Sequence, residues 1–285
     1  MSLTAALLLI GQVGPGPALN LPTGLEDRQR RSSATAPIQS TPAPRSPFSE
    51  CMDAVKSDPS GAVDMAESWL AQAKGSASAP AQFCLGSAHA ALGRWGEAEQ
   101  AFIAGREVAA ASDLKLRAQL GAMAGTTALA AGAAERALAL LDKAHADALA
   151  APDITLGGDI QVDRSRALVA LKREGEAAEA LATARTASPN NPDAWLLSAT
   201  LSRRQNKLAE AQAQIEQAAQ RAPLDPQVGL EAGVIAVLAG REESARKSWQ
   251  SVIAAAPESE EAKTAKGYID QLGGAPTPAP ATAGR

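Results

Sequence analysis

Prolines recur in this chain at a fixed interval. Pro189, Pro223 and Pro257 stand 34 residues apart, and Pro192 and Pro226 repeat the same step. Proline lacks the N–H that a helix interior needs, yet it is well suited to a helix's first turn. In "SPNNPDAWLLSATLSRR", residues 188–204, Pro189 therefore follows the end of one helix and Pro192 opens another. The stop and the start return together, so they mark the boundary of a repeated unit. A period of roughly 20 to 50 residues is the signature of stacked repeats. Within a unit, Leu208, Ala211, Ile215 and Ala218 step by 3, 4 and 3, which lines one face of a helix.

Composition points the same way. Hydrophobic residues make up 46% of the 285 residues and aromatics only 3%, so alanine carries much of the apolar content. Alanine favours helix and leaves room for helices to approach closely. The fold class expected is all-α, an α-solenoid of about six helix–turn–helix units closed by a C-terminal capping helix. The cap is read over "SEEAKTAKGYIDQL", with Ser259 as its N-cap.

These units resemble the tetratricopeptide repeat family. "FCLGSAHAALGRWGEAEQAFIAG" carries Leu85, Gly86, Gly93, Trp95, Ala98 and Phe102 at the family's positions. Further units carry Gly132, Ala137, Leu141 and Ala144; Gly175, Ala180, Ala184 and Pro189; Trp195, Ala211, Ile215, Ala218 and Pro223; and Gly240, Ala245, Trp249 and Pro257. A degenerate first unit offers Gly61, Ala66, Leu70 and Ala73. The expected departures are a loop within "AAPDITLGGD", with Gly157 and Gly158 as turn residues, and a second helix one turn short between Ala184 and Pro189. The resemblance covers residues 48–272.

Outside that span, residues 1–18 contain an apolar run, Leu3 to Val13, too short to cross a bilayer but fitting the h-region of a secretory signal. Residues 19–47 and 273–285 are rich in Pro, Ser, Thr and Ala and read as a disordered linker and tail. The expected location is the bacterial periplasm or cell envelope, with the cytoplasm as the alternative. No membrane association is indicated beyond that possible signal peptide.

The chain offers little reactive chemistry. Its two histidines, His89 and His145, belong to no metal-binding spacing, and neither a nucleophile elbow nor a phosphate loop is present. His89 falls at a helix-packing position of the resemblance, and His145 near a helix end where a cation suits the dipole. Glu97 and Glu99 fall at a helix start. The expectation is no catalytic residue, no metal, no cofactor and no small-molecule substrate. A net charge of −4, with the N-terminal 47 residues carrying four arginines against two acids, leaves no basic field for nucleic acid.

What the resemblance implies is a protein–protein scaffold or adaptor whose concave face, lined by first helices, binds a segment of a protein or peptide partner. Lys172 and Arg173 are expected to end one first helix, and Arg203 and Arg204 the next, with Lys207 in the turn. Together they form a basic patch suited to carboxylates; cations near a helix C-terminus are also favourable without any ligand. The alternatives are an enzyme with an unrecognised site in irregular middle repeats, and a cytoplasmic co-chaperone-like adaptor. Stacked first helices also bring Cys51 and Cys84 within reach of a disulfide, 33 residues apart and one register position out of step. Two buried reduced thiols are the other reading.

Overall fold

The computed structural model describes residues 45–151 and 154–273. The expected signal segment, nearly all of the expected linker, and the tail beyond Gly273 fall outside them. Among the described residues there are thirteen α-helices and no strand. They are α1 (Pro47–Ser57), α2 (Pro59–Leu70), α3 (Ala79–Ala91), α4 (Trp95–Val108), α5 (Leu114–Ala130) and α6 (Ala134–Ala150). There follow α7 (Ile154–Ala170), α8 (Glu174–Ala187), α9 (Pro192–Arg204), α10 (Leu208–Arg221), α11 (Pro226–Leu238), α12 (Glu242–Ala255) and α13 (Glu260–Gly273). Each helix packs on its successor, and most odd-numbered helices also touch the next odd-numbered one. Six helix pairs stack in this way, with α13 covering the last.

Local chemistry explains the boundaries. Pro192 and Pro226 open α9 and α11, where their missing N–H costs nothing. Ahead of them, the Asn191 side chain accepts from the Asp193 N–H and the Asp225 carboxylate from the Gln227 and Val228 N–H groups. Asp58 caps α2 and Ser259 Oγ caps α13 in the same manner. Inside five of the pairs, the turn between helices has a left-handed residue: Gly93, Gly132, Lys172, Asn206 and Gly240.

These turn residues correct the expected irregularities. Their last two intervals are 34 residues, whereas Gly93, Gly132 and Lys172 are more widely spaced. The extra length goes into helix: α5, α6 and α7 each have 17 residues, about one turn more than their neighbours. The predicted loop at "AAPDITLGGD" is therefore mostly the first turn of α7, and Gly157 and Gly158 are buried helical residues. A Cβ at Gly158 would meet the Ser188 backbone nitrogen at 2.9 Å, so close packing, and no turn, demands that glycine. Nor is α8 short, since it has 14 residues like α10 and α12. The bulky position is Leu181, one period before Ile215, and Ala184 lies nearly a turn beyond it.

The core repeats one device. Phe102, Leu141, Leu181, Ile215 and Trp249 project from the second helices and are at most 3% exposed. Sixteen residues before each stands a small residue on the first helix: Gly86, Gly125, Ser165, Ala199 and Gly233. A Cβ at Gly86 would lie 2.7 Å from the Phe102 ring, so nothing larger than hydrogen fits there. At the C-terminal end, the Tyr268 ring of α13 packs against Trp249 at 5.1 Å, tilted by 43°, and completes the last cluster with Ala262 and Ala265.

Candidate functional site

The five basic residues singled out above do not form one open patch. Helix α7 ends at Ala170, so Lys172 sits in the left-handed turn at φ 61° and Arg173 takes the N-cap position of α8, neither on a first helix. Arg173 makes a two-pronged pair with Glu176, at 2.7 and 2.6 Å, and that hydrogen bond raises its pKa. Arg203 and Arg204 do close α9. Arg203 reaches across to α11 and holds Glu231 at 2.6 and 3.3 Å, while Arg204 holds Glu174 at 3.0 Å. Lys207 occupies the N-cap position of α10 and is exposed, with no ion-pair partner among the described residues. Sequence reasoning missed these acids because they lie 28 and 30 positions from Arg203 and Arg204, close to one repeat length away.

A cleft does open on the first-helix face, between α7 and α9. It encloses about 190 Å³. Its walls are Val169, Leu197 and Leu201, its floor is Leu181 of α8, and Arg166 and Arg204 stand at its rim. Arg166 is fixed by Asp163 and Asp193, each at 2.6 Å. Burial raises the Asp163 carboxyl above its usual range, against the opposing pull of Arg166. The result is an apolar slot with guanidinium groups anchored on either side.

The remaining candidates have structural surroundings. Cys51 of α1 and Cys84 of α3 are buried, with Cα atoms 6.2 Å apart and sulfurs 1.90 Å apart. At His145, desolvation and then Arg164 lower the pKa, and its Nε2 lies 3.0 Å from the Gln161 amide nitrogen. Glu99 is 6% exposed and forms a two-pronged pair with Arg136. Among the described residues, no cluster of His, Cys, Asp and Glu is placed to hold a metal ion, and no helix is long and apolar enough to cross a membrane.

Residues 168–232, which include most of the cleft's lining, match the tetratricopeptide repeat. Among solved structures, PilW, described as a widely conserved type IV pilus biogenesis factor, superposes with a TM-score of 0.63 at 18% identity, covering 76% of this chain and 96% of PilW. PilF of Pseudomonas aeruginosa gives 0.62 at 16% identity, covering 78% and 96%. A thermophilic tetratricopeptide protein of Thermus thermophilus, TTC0263, gives 0.54 at 18%, covering 68% and 98%. No curated protein matches the sequence. At such identities the likeness is one of fold. Residues 168–232 thus carry the tetratricopeptide repeat, and the six stacked helix pairs share the fold of these solved structures.

Proposed function

We propose that the first-helix face is a docking surface for an extended segment of a partner protein, and that the protein acts as a scaffold or adaptor with binding, and no reaction, as its task. The observation that carries this reading is the slot between α7 and α9. It is apolar, it is held open by ion-paired arginines, and it lies on the face that tetratricopeptide solenoids present to partners. An aliphatic side chain of the partner fills the slot, and Arg204, half exposed, offers its remaining N–H groups to a neighbouring carbonyl or carboxylate. The apolar run near the N-terminus and the close approach of Cys51 and Cys84 support a cell-envelope location, where thiols oxidise.

The test is affinity capture from the cell envelope with the native protein and with Thr200→Glu, which puts a charge at the slot's edge. Loss of the native protein's partner at unchanged helicity is the expected result. A partner retained in full by the variant sinks the slot as the docking point.

A further inference from the structure

Furrows run between successive even-numbered helices on the other side of the stack. At equivalent places the furrows hold different residues. Thirteen positions after the left-handed turn stand Arg106 in α4, Arg185 in α8 and Ala219 in α10. Arg106 finds a carboxylate on the next even helix, Asp147 of α6, at 2.6 Å. The counterpart of Asp147 in the α8–α10 furrow is Arg221. Arg185 therefore forms no salt bridge among the described residues, and the acid whose charge reaches it is Glu210. Arg185 donates to Ser198 Oγ, and its guanidinium lies 5.4 Å from the centroid of Trp195, whose ring Arg221 also approaches, at 4.8 Å.

Beside Arg185 a cavity of about 100 Å³ opens between α8, α9 and α10. Its polar lining comprises Arg185, Lys207, Ser198, Ser202, Gln205, Gln214 and one acid, Glu210. Helix packing does not require such a lining: one period further on, the places of Arg185, Ser198, Ser202 and Gln205 are taken by Ala219, Ala232, Ala236 and Ala239. Glu210 faces the same cavity but is ion-paired to neither cation. Holding a guanidinium partly out of water without a direct ion pair is costly. Consistent with that cost, burial pushes the Arg185 guanidinium below its ordinary range.

We propose that this cavity binds a small oxyanion, a carboxylate or phosphate group, between Arg185 and Lys207, with the Gln205 and Gln214 amides as neutral donors. The Gln214 carbonyl already accepts from Ser202, which leaves its N–H₂ for the ligand. The space, about 100 Å³, is more than one water needs. That admits a small oxyanionic group.

The experiment follows the Arg185 Nε–H and the Gln205 and Gln214 side-chain amides of the whole protein by NMR. Sodium phosphate, sodium acetate and sodium chloride are titrated at matched ionic strength. Saturable shifts are expected with phosphate or acetate and not with chloride. Lys207→Gln, at an exposed position that folding does not need, weakens the response about tenfold, the loss of one charge-assisted hydrogen bond. Arg185→Gln abolishes it, and Glu210→Gln strengthens it. Saturation by phosphate alone identifies a free tetrahedral anion; saturation by acetate as well identifies a carboxylate of the kind an acidic side chain supplies. A response no greater than that to chloride, or one kept in both cation variants, overturns the proposal.

Discussion

Arg203 and Arg204 are neighbours in the chain but differ in what they hold. Arg203 and Glu231 are 23% and 12% exposed, so Arg203→Ala leaves a largely buried carboxylate without its donors. The expected loss is roughly 1.5–3 kcal/mol, measured by denaturant unfolding. Arg204→Ala faces a more open pair and is expected to leave stability within about 0.5 kcal/mol while weakening partner capture and flattening its salt dependence. Equal stability of the two variants would contradict this division. His145 makes a pH prediction. Its folded pKa lies below the ordinary 6.5 because of burial first and Arg164 second, with the Gly157 backbone and then Asp142 pulling the other way. The unfolded chain then binds a proton before the folded one does, so stability falls as pH drops below about 6.5 and the loss levels off beneath the folded value. In melts across pH 7 to 5, His145→Gln is expected to lose less stability than the native protein. The basic residues were legible in the sequence. Their environment was not, because each ion pair depends on which acid a neighbouring repeat places opposite it.

At the scale of the helix, small-against-large packing sets the tolerance for change. A Cβ at Gly233 would lie 2.0 Å from Trp249 Nε1, whose N–H donates to the Leu230 carbonyl at 3.1 Å. Gly233→Ala is expected to cost about 1–3 kcal/mol, read by thermal or chemical unfolding. Gly175→Ala, with open space around it, is the neutral control. Pro192, Pro226 and Ser259 announced their helix starts correctly, because proline and capping side chains act within one turn. The longer middle helices were misread, since Gly157 and Gly158 look like a turn until the opposing Ser188 is known. The same cause misplaced α8: Ala180 and Ala184 were aligned where Leu181 is the bulky residue. The slot between α7 and α9 lay beyond the sequence as well, since its walls come from two repeats and its rim from ion pairs.

For the stack as a whole, stability is a sum over units and the interfaces between neighbours, so the end units are where unfolding begins. At the C-terminal end, α13 covers the exposed side of the last pair. At the N-terminal end the first pair is the most degenerate in sequence, and a bond between Cys51 and Cys84 would tie it to the second. Closing a loop of that size contributes about 3–4 kcal/mol by chain entropy. Reduction is therefore expected to destabilise α1 and α2 before the remainder, visible as earlier amide exchange there. Two free thiols in denatured protein taken from the envelope would remove the basis for that expectation. Nearest-neighbour stacking has a mechanical counterpart. Tension applied to the two ends loads the units in series, and a period of 34 residues, once peeled away, releases up to about 110–120 Å of extended chain. A bonded Cys51–Cys84 pair withholds its enclosed loop from that release, so the molecule would lengthen under force from its C-terminal side, as a tether with one fixed end.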